Sequence, residues 1–371
     1  MVMGIIRLIL ALEVLMYHLP NNSYYNYIAM NGSVVVNGFF IISGFFIALV
    51  INEKYFVKEG KSYFLFISNR LLKLYPAYFI ILIFALIVSF IGFLMVNNWI
   101  FLESYVNQNL TIYSLLILSF CNITMFGINT ISFFSINPIT GELFFTGTAD
   151  SNAIQYIIIT QAWAVSIELI FYLIAPFILR KKISLLVGLL VSSFFLRVLL
   201  NYFGFFDNMW RDRFFPTELV FFMLGAVSYK AYKAFNLKNF IKTDSILLYI
   251  ISLINILFII FFSYLPDRTF LYFSAKEWIF YGLLAISLPF MFLLSSNMRK
   301  IDRFTAELSY PIFLSHVVIL DLIVIFLIYY NAYNPYDNIA KTFTIILTVL
   351  FSVIITKYLI DPIEKIRQKR I

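Results

Sequence analysis

The chain has 371 residues, of which 62% are hydrophobic, 20% aromatic and 12% charged. An ordinary soluble domain is about 25% charged, and no soluble fold of this length has enough interior to hide so much apolar surface. Soluble globular folds, disorder and coiled coils are excluded. The single cysteine, Cys121, excludes an internal disulfide framework. The net charge of +8 reads as membrane topology and not as nucleic-acid binding, because Lys and Arg gather on the cytoplasmic side of membrane proteins.

Apolar stretches close to the ~20 residues that span a bilayer run over 4–19, 34–51, 74–96, 162–179, 183–203, 216–229, 245–264, 278–294, 308–330 and 341–360. The first lacks a small-x-small cleavage pattern before Pro20-Asn21-Asn22, so it reads as a retained helix. Residues 111–126 are apolar but short, and Ser119, Asn122 and Thr124 interrupt them.

Basic residues orient these segments. Lys54, Lys58, Lys61, Arg70 and Lys73 fill one loop, and Arg180, Lys181 and Lys182 the next. Lys230, Lys233, Lys238 and Lys242 follow, then Arg299, Lys300 and Arg303, then Lys365, Arg367, Lys369 and Arg370. The alternate loops 20–33 and 331–340 carry no Lys or Arg. In 204–215 and 265–277, acids balance Arg211, Arg213, Arg268 and Lys276. The alternation requires 97–161 to stay outside as a whole, with 111–126 re-entrant or crossing beside a partner. The expectation is an all-α polytopic membrane protein of about ten helices, both termini cytoplasmic, forming one domain over 1–371. Residues 127–161 are polar without a basic residue, and they read as a functional outer loop. No fixed-period repeat occurs.

An ionisable side chain inside a spanning helix costs roughly 2.5–3.5 kcal/mol and is a functional candidate by default. The candidates are Arg7, Glu13, His18, Glu168, Arg197, Glu218, His316 and Lys357. Arg7 and His18 are eleven residues apart, which puts them on one helix face about 16 Å apart along the axis. Arg7 falls near the cytoplasmic end and His18 near the outer end. Glu168, about six residues into its helix from outside, falls at about the depth of His18. A carboxylate there can fix an imidazole tautomer and stabilise its protonated form; an ion pair with Arg197 is the alternative. Glu13 lies off the Arg7/His18 face and receives no role. Glu218, after Pro216, is either structural or substrate-binding. His316 can bond between helices, and Ser43-Gly44 suits close helix packing. No metal-ligand spacing and no phosphate loop occur.

Five patterns occur in order. They are Arg7-Leu-Ile-Leu-Ala-Leu-Glu-Val-Leu-Met-Tyr-His18, Val36-Asn-Gly-Phe-Phe-Ile-Ile-Ser-Gly-Phe-Phe46, Asn69-Arg-Leu-Leu-Lys-Leu-Tyr-Pro-Ala-Tyr78, Trp163-Ala-Val-Ser-Ile-Glu-Leu-Ile-Phe-Tyr172 and Ser309-Tyr-Pro-Ile-Phe-Leu-Ser-His316. Together they resemble the acyltransferase-3 family of bacterial membrane acyltransferases, whose layout is ten helices with both ends inside. Lys73 stands where that family usually has a second Arg, Asn37 replaces a frequent Asp, and Asp361-Pro362 replaces a Glu-x-Pro ending. A lysine keeps the charge and loses bidentate phosphate binding.

The resemblance implies transfer of an acyl group, usually acetyl, from cytoplasmic acetyl-CoA to a hydroxyl of a surface glycan or lipid-linked saccharide in the bacterial inner membrane. O-antigen, capsule, exopolysaccharide, a secreted oligosaccharide and a macrolide all remain open as acceptors. It implies His18 and Glu168 as catalytic residues and Arg7, Arg70, Lys73 and Ser43 on the CoA side. Trp163, Ser166, Tyr172 and His316 then face the acceptor. His18 acts either as general base or as an acyl carrier. No metal and no nucleic acid is expected. A multi-helix exporter of a lipid-linked or small sugar, with the buried charges as a gating network, is the other reading.

Overall fold

The computed structural model describes residues 2–55, 61–148, 151–205, 209–235, 245–270, 273–295, 299–332, 334 and 337–370. Lys58, Lys238 and Lys242 lie outside the described residues, as do the side chains of Lys61, Arg299 and Lys300.

The helices follow the apolar stretches closely. They are α1 (Val2–His18), α2 (Gly32–Glu53), α3 (Lys61–Val96), α4 (Glu103–Asn107), α5 (Ile112–Thr124), α6 (Ile128–Ile131) and α7 (Trp163–Ile178). After these come α8 (Ile183–Tyr202), α9 (Phe215–Ala234), α10 (Ile246–Phe261), α11 (Ala275–Ser295), α12 (Arg299–Tyr329), α13 (Asn338–Ile355) and α14 (Asp361–Lys369). Among the described residues, α2, α3, α7, α8, α10, α11, α12 and α13 are long and apolar enough to cross a bilayer. The 17-residue α1 and the more polar α9 bring the long helices of the bundle to the expected ten. Among the described residues, strand is confined to three two-stranded ribbons in the loops: β1–β2 (Ser23–Tyr24 with Tyr27–Ile28), β3–β4 (Phe134–Ile136 with Leu143–Phe145) and β5–β6 (Thr269–Phe270 with Phe273–Ser274).

Helix α2 is central: 78% of its most apolar stretch is buried inside the protein, against 17% for α8. Between lipid-embedded helices there is no hydrophobic drive to associate, so close backbone packing has to supply the attraction. Two glycines provide it where α2 crosses α9. A Cβ on Gly44 would lie 2.1 Å from the Phe222 carbonyl oxygen, and one on Gly225 would lie 1.9 Å from that of Ile41. Gly4 does the same for α1 on α12, with a virtual Cβ 2.0 Å from the Asp302 carbonyl oxygen. The Gly4 amide also donates to the Asp302 carboxylate at 2.8 Å.

Side-chain contacts gather the basic clusters at one end of the bundle. Arg180 donates to the Tyr55 carbonyl, and Lys233 pairs with Glu53 at 2.8 Å. Arg303 pairs with Glu364 at 3.4 Å, and Arg370 donates to Ser68 at 3.1 Å. At the other end, the β1–β2 ribbon bonds Asn338 and Tyr264, and Trp210 Nε1 donates to the Gly147 carbonyl. This is the segregation the charge pattern requires.

Helix α5 has 13 residues, about 20 Å of helix, against about 30 Å of hydrocarbon. Its C-terminal end is held deep against α3, where Tyr75 and Tyr78 donate to the Thr124 and Asn122 carbonyls. Leu116 and Phe120 stay exposed on its other side. The chain then returns through α6 and the β3–β4 ribbon to the start of α7, the path a re-entrant segment takes.

Candidate functional site: two cavities on either side of Val36 and Phe313

Helix α1 carries Arg7 and His18 into two different cavities. The inner one, about 720 Å³, is lined by Arg7, Ser43, Arg70, Lys73, Glu168 and Tyr172, with Ser309 and Tyr310 and an apolar wall from α2. The outer one, about 700 Å³, is lined by Tyr17, His18, Ser33, Gln161, Trp163, Asp212 and Arg213. Val36 and Phe313 line both cavities, so they are the partition between them.

The inner cavity holds three cations against one carboxylate. The Glu168 carboxylate is engaged locally, accepting from Ser43 Oγ and from Tyr172 OH, the latter at 2.5 Å. The Arg70 guanidinium lies over the rings of Phe66 and Tyr172, 5.4 and 5.9 Å from their centroids. Among the described residues, neither Arg7 nor Arg70 forms an ion pair, and the buried Nε atom of each has no hydrogen-bond partner. Lys73 also borders a small cleft with Glu307 and Glu364. Arginines engage both of those carboxylates, Arg303 at 2.9 Å and Arg367 at 2.6 Å. Cations held without a partner at membrane depth are costly. An anion with several oxygens entering this cavity would relieve that cost.

In the outer cavity, His18 Nδ1 lies 2.8 Å from the Val14 carbonyl oxygen. A carbonyl only accepts, so Nδ1 carries the proton and Nε2 of the neutral ring keeps its lone pair. The His316 ring lies 4.8 Å from the His18 ring, centroid to centroid. His316 is likewise bonded through Nδ1, to the Ile312 carbonyl at 3.1 Å, and its buried Nε2 has no partner. Arg213 stacks over Trp163 at 5.2 Å and donates to Ser132 Oγ at 2.6 Å. Burial lowers the Arg213 pKa against the opposing pull of Asp212. Asp212 accepts from Arg211 Nε and Nη2 at 2.8 and 3.0 Å. For Arg211, burial alone would lower the pKa, but its bonds to Asp212 and the charge of that carboxylate raise it.

Four expectations need correction. Glu168 belongs to the inner cavity and not beside His18. The depth estimate assumed that every helix begins at one membrane plane, whereas Trp163, the first residue of α7, already lines the His18 cavity. Glu168, five residues on, is therefore about 7–8 Å deeper. Arg197 pairs with Glu218 at 2.9 Å and not with Glu168. Ser166 lines neither cavity; its Oγ donates to Asn129 Oδ1 at 2.7 Å, and Asn129 Nδ2 donates to the Arg213 carbonyl. Ser166 thus steadies the turn that carries Arg213. Tyr172 lines the inner cavity and not the outer, while Trp163 lines the outer.

Sequence reasoning missed Glu13, which is 1% exposed. Its carboxylate accepts from Tyr27 OH and from the Met30 amide at 2.9 Å, clamping loop 20–31 above His18. Burial raises the Tyr27 phenol's pKa, and the bond to Glu13 adds to the rise. The signal was the carboxylate itself, inside an apolar helix five residues before His18. The run Arg211-Asp212-Arg213 was also missed as a site. Its signal was two basic residues around an acid on a face that carries few of them.

A family described as an acyltransferase domain matches residues 3–360. No curated protein and no solved structure matches the chain. The two-cavity bundle, the ordered patterns from Arg7 to His316 and this nearly full-length match lead to one assignment: the chain belongs to the acyltransferase-3 family and is a multi-pass membrane acyltransferase.

Proposed function

We propose that this acyltransferase moves an acetyl group from acetyl-CoA, bound from the cytoplasm, to a hydroxyl of a surface glycan or lipid-linked saccharide at the outer side of a bacterial inner membrane. The observation that carries this reading is the pair of cavities meeting at Val36 and Phe313. One is lined by the unpaired cations Arg7 and Arg70, the other by His18.

Arg7, Arg70 and Lys73 would hold the CoA phosphates, the arginines in bidentate fashion and the lysine as a point charge. Ser43, Glu168 and Tyr172 shape the wall past which the pantetheine arm runs. Arg7 and His18 are about 16 Å apart along α1, comparable to the reach of that arm, so the thioester arrives at the partition. The acceptor enters from outside, against Trp163 and Arg213. His18 Nε2 takes the proton of the attacking hydroxyl as its oxygen bonds to the thioester carbonyl. The C–S bond then breaks, and the CoA sulfur leaves with the proton returned from His18. His316 packs behind the base. On this reading Glu168 orders the donor cavity and does not orient the imidazole.

The test is acetyl-CoA turnover by purified protein, following free thiol and label reaching glycan, with wild type beside His18→Ala. Loss of transfer by about 100-fold or more, with acetyl-CoA binding retained, is the expected result. Full activity in a folded His18→Ala protein refutes the mechanism. Glycan export without thiol release favours the transporter reading.

A further inference from the structure

A third cavity, about 970 Å³, opens between the outer ends of α8, α9 and α11. Asn201, Trp210, Arg211, Glu277, Trp278 and Tyr281 line it. We propose that it is a second saccharide subsite, taking the neutral sugar unit next to the one acylated at His18. This rests on the glycan-acceptor reading above and narrows the acceptor to a chain of at least two sugar units.

Position is the first argument. Arg211 lines this cavity, while Asp212 and Arg213 line the His18 cavity. Consecutive Cα atoms are about 3.8 Å apart, so one short turn is the wall between the two spaces.

Charge is the second argument. Arg197, which also lines the cavity, is paired with Glu218 at 2.9 Å, and Arg211 is clasped by Asp212. Glu277 adds a carboxylate. Unlike the donor cavity, this one offers no surplus cation among the described residues, which disfavours a phosphate or sulfate. It does offer hydrogen bonds. Arg197 is 6% exposed, and its buried Nε–H has no acceptor among the described residues. The Asn201 amide and the Glu277 carboxylate supply both donor and acceptor chemistry. That set suits hydroxyl groups.

The walls are the third. Trp210 is fixed by its Nε1–H bond to the Gly147 carbonyl at 2.8 Å. Trp278 stacks on Phe221 at 5.9 Å and meets Tyr281 edge-on at 5.4 Å. The Tyr281 oxygen accepts from Asn37 at 3.0 Å. Large aromatic surfaces held rigid before binding cost little ordering entropy, and they match the apolar faces of a sugar ring.

The test is saturation-transfer NMR on full-length protein in nanodiscs. The probes are methyl glycosides of glucose, galactose, rhamnose and N-acetylglucosamine, and disaccharides built from them. Asn201→Leu fills the cavity mouth with an apolar group, and Glu277→Gln keeps shape while removing charge. The expected result is that a disaccharide binds wild type at least about tenfold tighter than its monosaccharide. Both variants should lose that gain and keep the monosaccharide affinity. Equal affinities for mono- and disaccharide, an unchanged gain in both variants, or a preference for a phosphorylated or sulfated sugar overturns the proposal. Disaccharide binding without acetyl transfer would refute the acceptor reading and leave the subsite standing. Transfer that is indifferent to the second sugar would refute the subsite and leave the activity standing.

Discussion

Replacing Arg7 by methionine keeps an unbranched stem in the inner cavity and removes the guanidinium. Its consequences run in opposite directions with and without ligand. In the empty protein Arg7 has a buried, unpartnered Nε and no ion pair among the described residues. Removing a buried charge that has no partner does not destabilise, and replacing buried charges by apolar groups of similar volume is often stabilising. The ligand-free variant should therefore unfold at or above the wild-type temperature. With acetyl-CoA present the order reverses. A hydrogen bond to a charged group contributes about 1.5–3 kcal/mol, so its loss weakens binding by about 10- to 150-fold. At a ligand concentration of 100 times the wild-type Kd, wild type gains about 2.7 kcal/mol. A variant hundredfold weaker gains only about 0.4 kcal/mol at that concentration. Calorimetric titration of acetyl-CoA, with intrinsic-fluorescence melting of the same samples, reads both quantities. Wild-type affinity in Arg7→Met refutes the donor-site assignment. A variant that melts well below wild type without ligand shows that Arg7 is a structural partner and not an anion receptor.

Gly225→Ala forces a methyl group to within 1.9 Å of the Ile41 carbonyl oxygen, so the α2–α9 crossing has to part. Melting should show a loss of about 1–3 kcal/mol, and an unchanged melt would mean the backbones are not in contact. Glu13→Ala leaves the Met30 amide and the Tyr27 hydroxyl without their acceptor, costing about 1–3 kcal/mol locally. Hydrogen exchange should rise in 23–30 and not in α12, and uniform protection would contradict the clamp. Phe313→Leu thins the partition shared by the two cavities. Acetyl-CoA hydrolysis without acceptor should rise relative to transfer, and an unchanged ratio would mean that Phe313 does not separate water from thioester.

The helical register was legible because each apolar stretch must satisfy its own backbone within the bilayer. Charge then set direction, since Arg180, Lys233 and Arg303 can meet Tyr55, Glu53 and Glu364 only if their loops share one face. The Arg7–His18 relation was legible for a similar reason: both lie on one rigid helix. What crossed between helices was not. Glu168 could be assigned a depth only by assuming where α7 begins, and its first residue, Trp163, already lies at the level of His18. Arg197 had two carboxylates within conceivable reach, and only the packing of α8 on α9 selects Glu218. Ser166 and Asn129 are 37 residues apart, and nothing in either segment announces the other.

Two helices fix the spacing between donor and acceptor chemistry. Helix α1 carries Arg7 inside and His18 outside, about 16 Å apart, and α7 carries Trp163 outside and Tyr172 inside, about 14 Å apart. Neither interval can shrink without breaking backbone hydrogen bonds that the membrane offers no means of replacing. On the proposed reading the donor is therefore selected by length as well as by charge. A compact acyl phosphate could satisfy Arg7 and Arg70, but its carbonyl would stop well short of His18. A donor with phosphates at one end and a thioester at the end of a long flexible arm satisfies both helices at once. The partition at Val36 and Phe313 then needs to admit only the narrow arm, which keeps the charged headgroup on one side and the acceptor's water on the other.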